Sequence, residues 1–168
     1  NVTLQPAAKN STPEAFPVLS VVKTEVSSLS ELPALSSNFY VSRRYFEGID
    51  VSHYQGAINW RAVAATGEIC YAYMKATEGE SLVDRMYRKN IVEARRAGLK
   101  VGSYHFMRTT SSVWLQFLNF VSHVPPKKQD LVPVIDVEEC KNWTSQQLAD
   151  SVALMSRLLE KVYGQKPM

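Results

Sequence analysis

Two textures divide the chain. From residue 46 onward, short apolar runs alternate with stretches whose apolar positions recur every three to four residues. The first pattern suits strands buried on both faces, and the second suits helices with one buried side. Strands are predicted over 46–52, 69–76 (ICYAYMKA), 99–106 (LKVGSYHF) and 131–138 (LVPVIDVE). Helices are predicted over 59–66, 84–97, 112–124 and 144–163. Asp84 stands where a cap for the second helix belongs, and Thr144 with Gln147 forms a capping box for the last. Gly67, Gly98 and Gly164 stand at helix ends. Val113, Trp114, Phe117, Phe120 and Val121 mark the buried side of the third helix, and Leu148, Val152, Met155, Leu159 and Val162 that of the fourth. Repeated strand-then-helix units predict an α/β fold with a parallel sheet, either open and doubly wound or closed as a β/α barrel.

Residues 1–45 read differently. They contain 15 Ser, Thr or Pro residues, and all seven glycines lie at Gly48 or later. Pro6, Pro13, Pro17 and Pro33 break any helix. This stretch is predicted to be an extended leader or linker, with a short strand near 18–22 that has no evident partner. Asn1-Val2-Thr3, Asn10-Ser11-Thr12 and Asn142-Trp143-Thr144 match the glycosylation acceptor pattern, a triplet common by chance.

Composition narrows the class. With 168 residues, 45% hydrophobic and 21% charged, the chain suits one globular domain plus an extension. A net charge of +3, scattered along the chain, lacks the basic stripe that nucleic acid requires. The longest apolar runs are a few residues, which predicts no membrane span. Cys70 and Cys140 are too few for a disulfide-dense scaffold or a four-cysteine zinc site. Placed two strands apart, their backbones should be about 10 Å from each other, beyond disulfide reach. Two free thiols, buried or half-buried, are expected.

The candidate chemistry gathers at the C-terminal ends of strands: Asp50, Lys75 with Glu78, Tyr104 with His105, and Asp136 with Glu138. In a barrel those ends share one face, where the reaction takes place. No Gly-rich phosphate loop follows a strand, which disfavours dinucleotide binding. Asp136 and Glu138 are two apart on a strand and point to the same side. Directly after the run Leu131-Val132-Pro133-Val134-Ile135, both cannot ionise without cost, so one should have a raised pKa. A glycosidase needs that arrangement: one carboxyl that holds a proton and one that stays charged. Spacing alone leaves open a solvated pair, or a pairing with Lys141. Asp50 alone reads as a loop cap, and His53 with Tyr54 as a polar rim. Lys75 shares a strand face with Tyr71 and Tyr73 and suits holding one acid ionised. Of the neighbours Tyr104 and His105, only one faces the axis, and Gly102 favours Tyr104. His123 reads as a surface residue. Trp60 and Trp114 read as packing, and Trp143 as a sugar platform worth keeping.

Gly48-Ile49-Asp50-Val51-Ser52-His53-Tyr54-Gln55-Gly56 with Ile58-Asn59-Trp60 strongly resembles the opening of the glycoside hydrolase family 25 lysozymes. Tyr73-Met74-Lys75-Ala76-Thr77-Glu78-Gly79 is similar to their second strand. Ala97-Gly98-Leu99 through Gly102-Ser103-Tyr104-His105-Phe106 is similar to their third. Pro133-Val134-Ile135-Asp136-Val137-Glu138 is similar to their catalytic Asp-x-Glu strand. The motifs come in family order over 46–168. The resemblance implies a modified TIM-like (β/α) barrel, incomplete in this chain and preceded by the extended leader 1–45. It implies an N-acetylmuramidase that cleaves the β-1,4 bond between N-acetylmuramic acid and N-acetylglucosamine in bacterial peptidoglycan. Glu138 would be the general acid, Asp136 would polarise the substrate's own acetamido group, and Asp50 would give electrostatic support. Lys75, Tyr104, Glu78, Tyr73 and His105 would bind substrate. No metal or organic cofactor is expected. Residues 165–168 resemble the entrance to a fifth strand, so the remaining strands would come from a second chain, a cleaved product or a segment beyond Met168. A peptidoglycan-binding fragment without turnover and a chitinase-like glycosidase are the alternatives. The substrate and the opening at Asn1 imply an exported protein, secreted or held at the cell envelope.

Overall fold

The computed structural model describes residues 21–25 and 45–168. Six strands form one sheet: β1 (Val21–Glu25), β2 (Tyr45–Val51), β3 (Ile69–Glu78), β4 (Leu82–Val83), β5 (Lys100–Phe106) and β6 (Val134–Asp136). Their order is β1-β2-β3-β5-β6, with β4 folded back antiparallel on the end of β3. β2, β3, β5 and β6 are parallel. They are joined in turn by α1 (Trp60–Ala65), α2 (Tyr87–Arg96) and α3 (Val113–His123), and α4 (Ser145–Tyr163) follows β6. The parallel sheet curls into a half-barrel, the α/β architecture that the strand–helix alternation predicts.

Alternation along each strand sorts two faces. Ile49, Val51, Ala72, Met74, Ala76 and Val101 point to the helices and pack against Trp60, Ile91, Ala94, Phe117, Phe120, Met155 and Leu159. Truncating a fully buried side chain such as Met74 to Ala should cost roughly 2–5 kcal/mol. The opposite face looks along the barrel axis. There Tyr71 and Tyr73 of β3 lie across the glycines of their neighbouring strands. A Cβ on Gly48 would overlap the Tyr71 ring, and one on Gly102 would overlap the Tyr73 ring. Both glycines are therefore needed for close approach.

Several elements differ from the sequence expectations. The strand expected near 18–22 lies at Val21–Glu25 and has a partner, pairing antiparallel with β2 from Val21↔Ile49 to Glu25↔Tyr45. The rest of the expected leader lies outside the described residues. β3 runs on to Glu78 because β4 pairs with its end. β6 spans three residues, not eight. Pro133 has no N–H to give, and its carbonyl instead accepts from Met168 N–H. Met168 in turn accepts from Ile135 N–H, the pattern of a parallel pairing beside β6. α2 begins at Tyr87; Asp84 lies in the turn before it, where Oδ1 accepts from Met86 N–H while Oδ2 accepts from His53 N–H.

Two helices turn differently from their predicted stripes. On α3, Trp114 is 53% exposed, while Gln116 and Asn119 are buried. Their amides explain this. Gln116 donates to the carbonyls of Arg108 and Ser111, and Asn119 to those of Gly79 and Leu82. Buried amides here close the backbone of two loops. On α4 the capping box of Thr144 and Gln147 forms as expected, and Met155 and Leu159 are buried, but Val162 faces solvent. Both cysteines are free; Cys70 is half-buried, but Cys140 is exposed, because β6 ends before it.

Candidate active site

The axis face carries a cleft of about 260 Å³ at the C-terminal ends of the strands. Asp50 from β2, Tyr73 from β3, Tyr104 from β5 and Asp136 from β6 line it, with Glu138 just past β6. Register explains the convergence. Asp50 pairs with Tyr73 and Tyr73 with Gly102; Tyr104, two residues further along β5, pairs with Val134, and Asp136 pairs with Phe106 two residues beyond, so successive positions on the same face of the curled sheet supply the chemistry. Tyr73 is fixed by donating its hydroxyl to the Val132 carbonyl at 3.0 Å. Nearer the strands' N-terminal ends, Phe46, Tyr71 and Leu131 border an apolar cavity of about 370 Å³, which shares Tyr73 and Met168 with the cleft.

The acids perturb one another. Asp136 has its pKa pushed up to about 6, first by burial and then by the charge of Glu138, while Lys75 pulls it back. Burial and the neighbouring Glu138 charge thus act on Asp136 in the direction that the spacing of the two carboxyls predicts. Tyr104 is also driven up, by burial and then by Asp50, Asp136, Asp84 and Glu138. Its hydroxyl stays neutral and able to donate to a carboxylate. Burial, and then the nearby Tyr71, pushes Tyr73 up to about 12.

The other candidate residues lie elsewhere. Lys75 is 5% exposed and does not line the cleft. Its ammonium pairs with Glu78 and sits 4.4 Å above the Phe106 ring. Burial raises the Glu78 carboxyl, but hydrogen bonds from Lys75 and Arg108 outweigh this and bring it below the usual range. His105 does not face the cleft at all, which corrects its assignment to substrate binding. It lies on the helix side of β5, fully buried. A register shift between Lys75 and Thr77 brings Thr77 opposite His105, and the Thr77 hydroxyl meets Nδ1 at 2.8 Å. Nε2 meets Gln116 Oε1 at 3.1 Å. Burial drives the imidazole pKa down to about 4.

At the rim, the buried Asp84 carboxylate accepts from the His53 backbone N–H at 2.9 Å and lies 2.7 Å from its ring Nδ1. The His53 ring stacks near the exposed Tyr54. The sequence reading missed Arg108. Its guanidinium donates to Glu78 Oε1 and pairs with Glu139. The signal was present as a cation two residues past a strand's C-terminal end.

A curled parallel β/α sheet with carboxyls clustered at its C-terminal mouth is the frame of a barrel glycosidase. A profile of the Glycosyl hydrolases family 25 matches residues 49–168, and the chain belongs to that family. The solved structure of a family 25 glycosyl hydrolase from Bacillus anthracis is 34% identical, with a TM-score of 0.67, over 79% of this chain and 63% of that one. The uncharacterized protein YegX of Escherichia coli K12 is 35% identical over 125 residues, 72% of this chain and 46% of that protein. Lysozyme M1 of Streptomyces globisporus is 47% identical over 66 residues, 39% of this chain and 22% of the lysozyme. The chain thus spans about half the length of YegX.

Proposed function

We propose that this chain carries the reactive carboxyls of a muramidase, which hydrolyses the β-1,4 bond between N-acetylmuramic acid and N-acetylglucosamine in bacterial peptidoglycan. The observation that carries the reading is the convergence of Asp50, Asp136 and Glu138 on one cleft, with the Asp136 pKa raised to about 6. The likeness to a protein named a lysozyme supports the substrate class.

In this reading the sugar's acetamido oxygen attacks its own anomeric carbon as the glycosidic bond breaks. Glu138, exposed at the mouth, gives its proton to the leaving oxygen. Asp136, deeper on β6, accepts the acetamido N–H, and its raised proton affinity makes it a strong acceptor. As positive charge builds on the sugar, the Asp136 carboxylate stabilises it, with Asp50 adding negative field. Water then attacks the anomeric carbon, the bond from that carbon to the acetamido oxygen breaks, and the water gives a proton to Glu138. Such substrate assistance is one of the exceptions to the two-carboxylate distance rule. Tyr104 and Tyr73 shape the cleft floor. The reaction takes place outside the cytoplasm, at or beyond the cell envelope.

The test is release of reducing ends from purified peptidoglycan and from chitin across pH. Release from peptidoglycan alone is expected, with an acid limb near pH 6 where Asp136 protonates. Comparable release from chitin would transfer the protein to a chitinase-like class. Release from neither substrate would overturn the proposal.

A further inference from the structure

We infer that Arg108 is a positioning residue that pins the loop carrying Glu138. The inference rests on the reading of Glu138 as the proton donor. Glu138 lies past the last residue of β6, on the connection to α4, so the sheet does not itself fix it. Its neighbour Glu139 is tied instead. Arg108 Nη1 meets Glu139 Oε1 at 2.8 Å, on the same connection.

Arg108 can serve as an anchor because it is held from three sides. Its backbone is clamped by Gln116 of α3: the Arg108 N–H donates to Gln116 Oε1 at 2.8 Å, and Gln116 Nε2 donates to the Arg108 carbonyl at 2.8 Å. Gln116 is itself oriented by His105 from below. The Arg108 guanidinium stacks 4.7 Å over the Phe106 ring, whose other cation neighbour is Lys75. A second edge of the guanidinium donates Nε–H to Glu78 Oε1 at 2.8 Å, and the other oxygen of Glu78 is taken by the buried Lys75 ammonium. The chain of contacts therefore runs from the rigid strand β3, through Glu78 and Arg108, to the residue beside the proposed acid.

A part-exposed ion pair of this kind adds little stability by itself. Its value is geometric, because a planar fork fixes two carboxylates at defined angles. A misplacement of about 1 Å at a reacting group costs on the order of a hundredfold in rate. Lysine at 108 would keep the charge but lose the fork, reaching one carboxylate at a time.

The purified protein is tested as Arg108→Gln, Arg108→Lys, Glu139→Gln and the Arg108→Gln/Glu139→Gln double variant. Amide exchange over residues 137–143 is measured for each, beside kcat and KM on peptidoglycan and a melting curve. Arg108→Gln is expected to speed exchange in that loop and to lower kcat by about tenfold to a hundredfold with KM nearly constant. Arg108→Lys should recover part of both effects. The double variant should be no worse than Arg108→Gln alone, since that change already removes the contact with Glu139. Loop exchange unchanged in Arg108→Gln would overturn the inference, as would losses that add in the double variant. A wild-type protein without turnover would overturn the muramidase reading, while loop exchange still decides whether Arg108 pins the loop.

Discussion

Tyr104 and His105 are neighbours on β5 and face opposite sides of the sheet. Tyr104 looks into the acid cleft, where four carboxylates and burial hold its proton on. His105 looks into the helix layer, where Thr77 and Gln116 take both ring nitrogens and burial holds its proton off. On the helix face, the buried polar side chains of Thr77, His105, Gln116, Tyr87 and Ser103 pair with one another or with backbone carbonyls. Tyr87 meets Ser103, and Ser103 donates to Gln129 in the same manner. The axis face instead keeps carboxyls in electrostatic conflict. Sites that bind or react commonly carry such unresolved charge, whereas structural polar groups are satisfied. Histidine in a family motif is therefore not a site residue by type; the face it occupies decides.

The largest effect should come from the axis face. Glu138→Gln keeps the shape of the side chain and removes the transferable proton. Turnover on peptidoglycan should fall by about 10²–10⁴-fold or more, with the melting temperature nearly unchanged. Near-normal turnover would remove Glu138 as the acid.

The helix face should respond in stability, not chemistry. Burial pushes the folded-state pKa of His105 down to about 4, against an ordinary value of 6.5. Between these values the unfolded chain binds a proton that the folded chain refuses. Stability should therefore fall as pH drops from 6.5 to 4, by roughly 3 kcal/mol for this group. His105→Gln should flatten that fall in urea melts taken across the window. An unchanged slope would mean that His105 titrates in the folded protein.

Asp136 runs the other way in the same window. Its folded-state pKa is about 6 against 3.8, so its ionisation costs stability as pH rises from 4 to 6. The carboxyl lies in an open cleft, so the effect should be only about 1 kcal/mol. Asp136→Asn should gain that much above pH 6 and nothing below pH 4, while abolishing most turnover. It should also steepen the acid loss due to His105, because the two groups offset each other in the native protein. A stability gain independent of pH would separate the effect from titration of Asp136.

Much of this was legible in the order of residues. Alternation and period identified the four parallel strands and the helices between them, because each strand is apolar toward the helices and each helix has one buried side. The placing of Asp136 and Glu138 two apart, after a core run, marked a conflict of charge, and in the structure burial and the Glu138 charge raise the Asp136 carboxyl. Boundaries were less legible. Pro133 shortens β6, and β4 lengthens β3, through partners distant in sequence.

What the sequence determined alone is the set of things that depend on local period and on neighbours in the chain: strand faces, the capping box of α4, and the acids at strand ends. What only the tertiary structure decided is which face a polar residue serves. A register shift of one residue brought Thr77 opposite His105, where its hydroxyl meets the ring Nδ1. Buried amides turned α3 so that Gln116 faces inward and Trp114 outward, and Gln116 in turn fixes Arg108. The hydrogen bonds concerned close between elements far apart in sequence, and a polar side chain is buried only where such a partner waits. That condition has no trace in the local pattern.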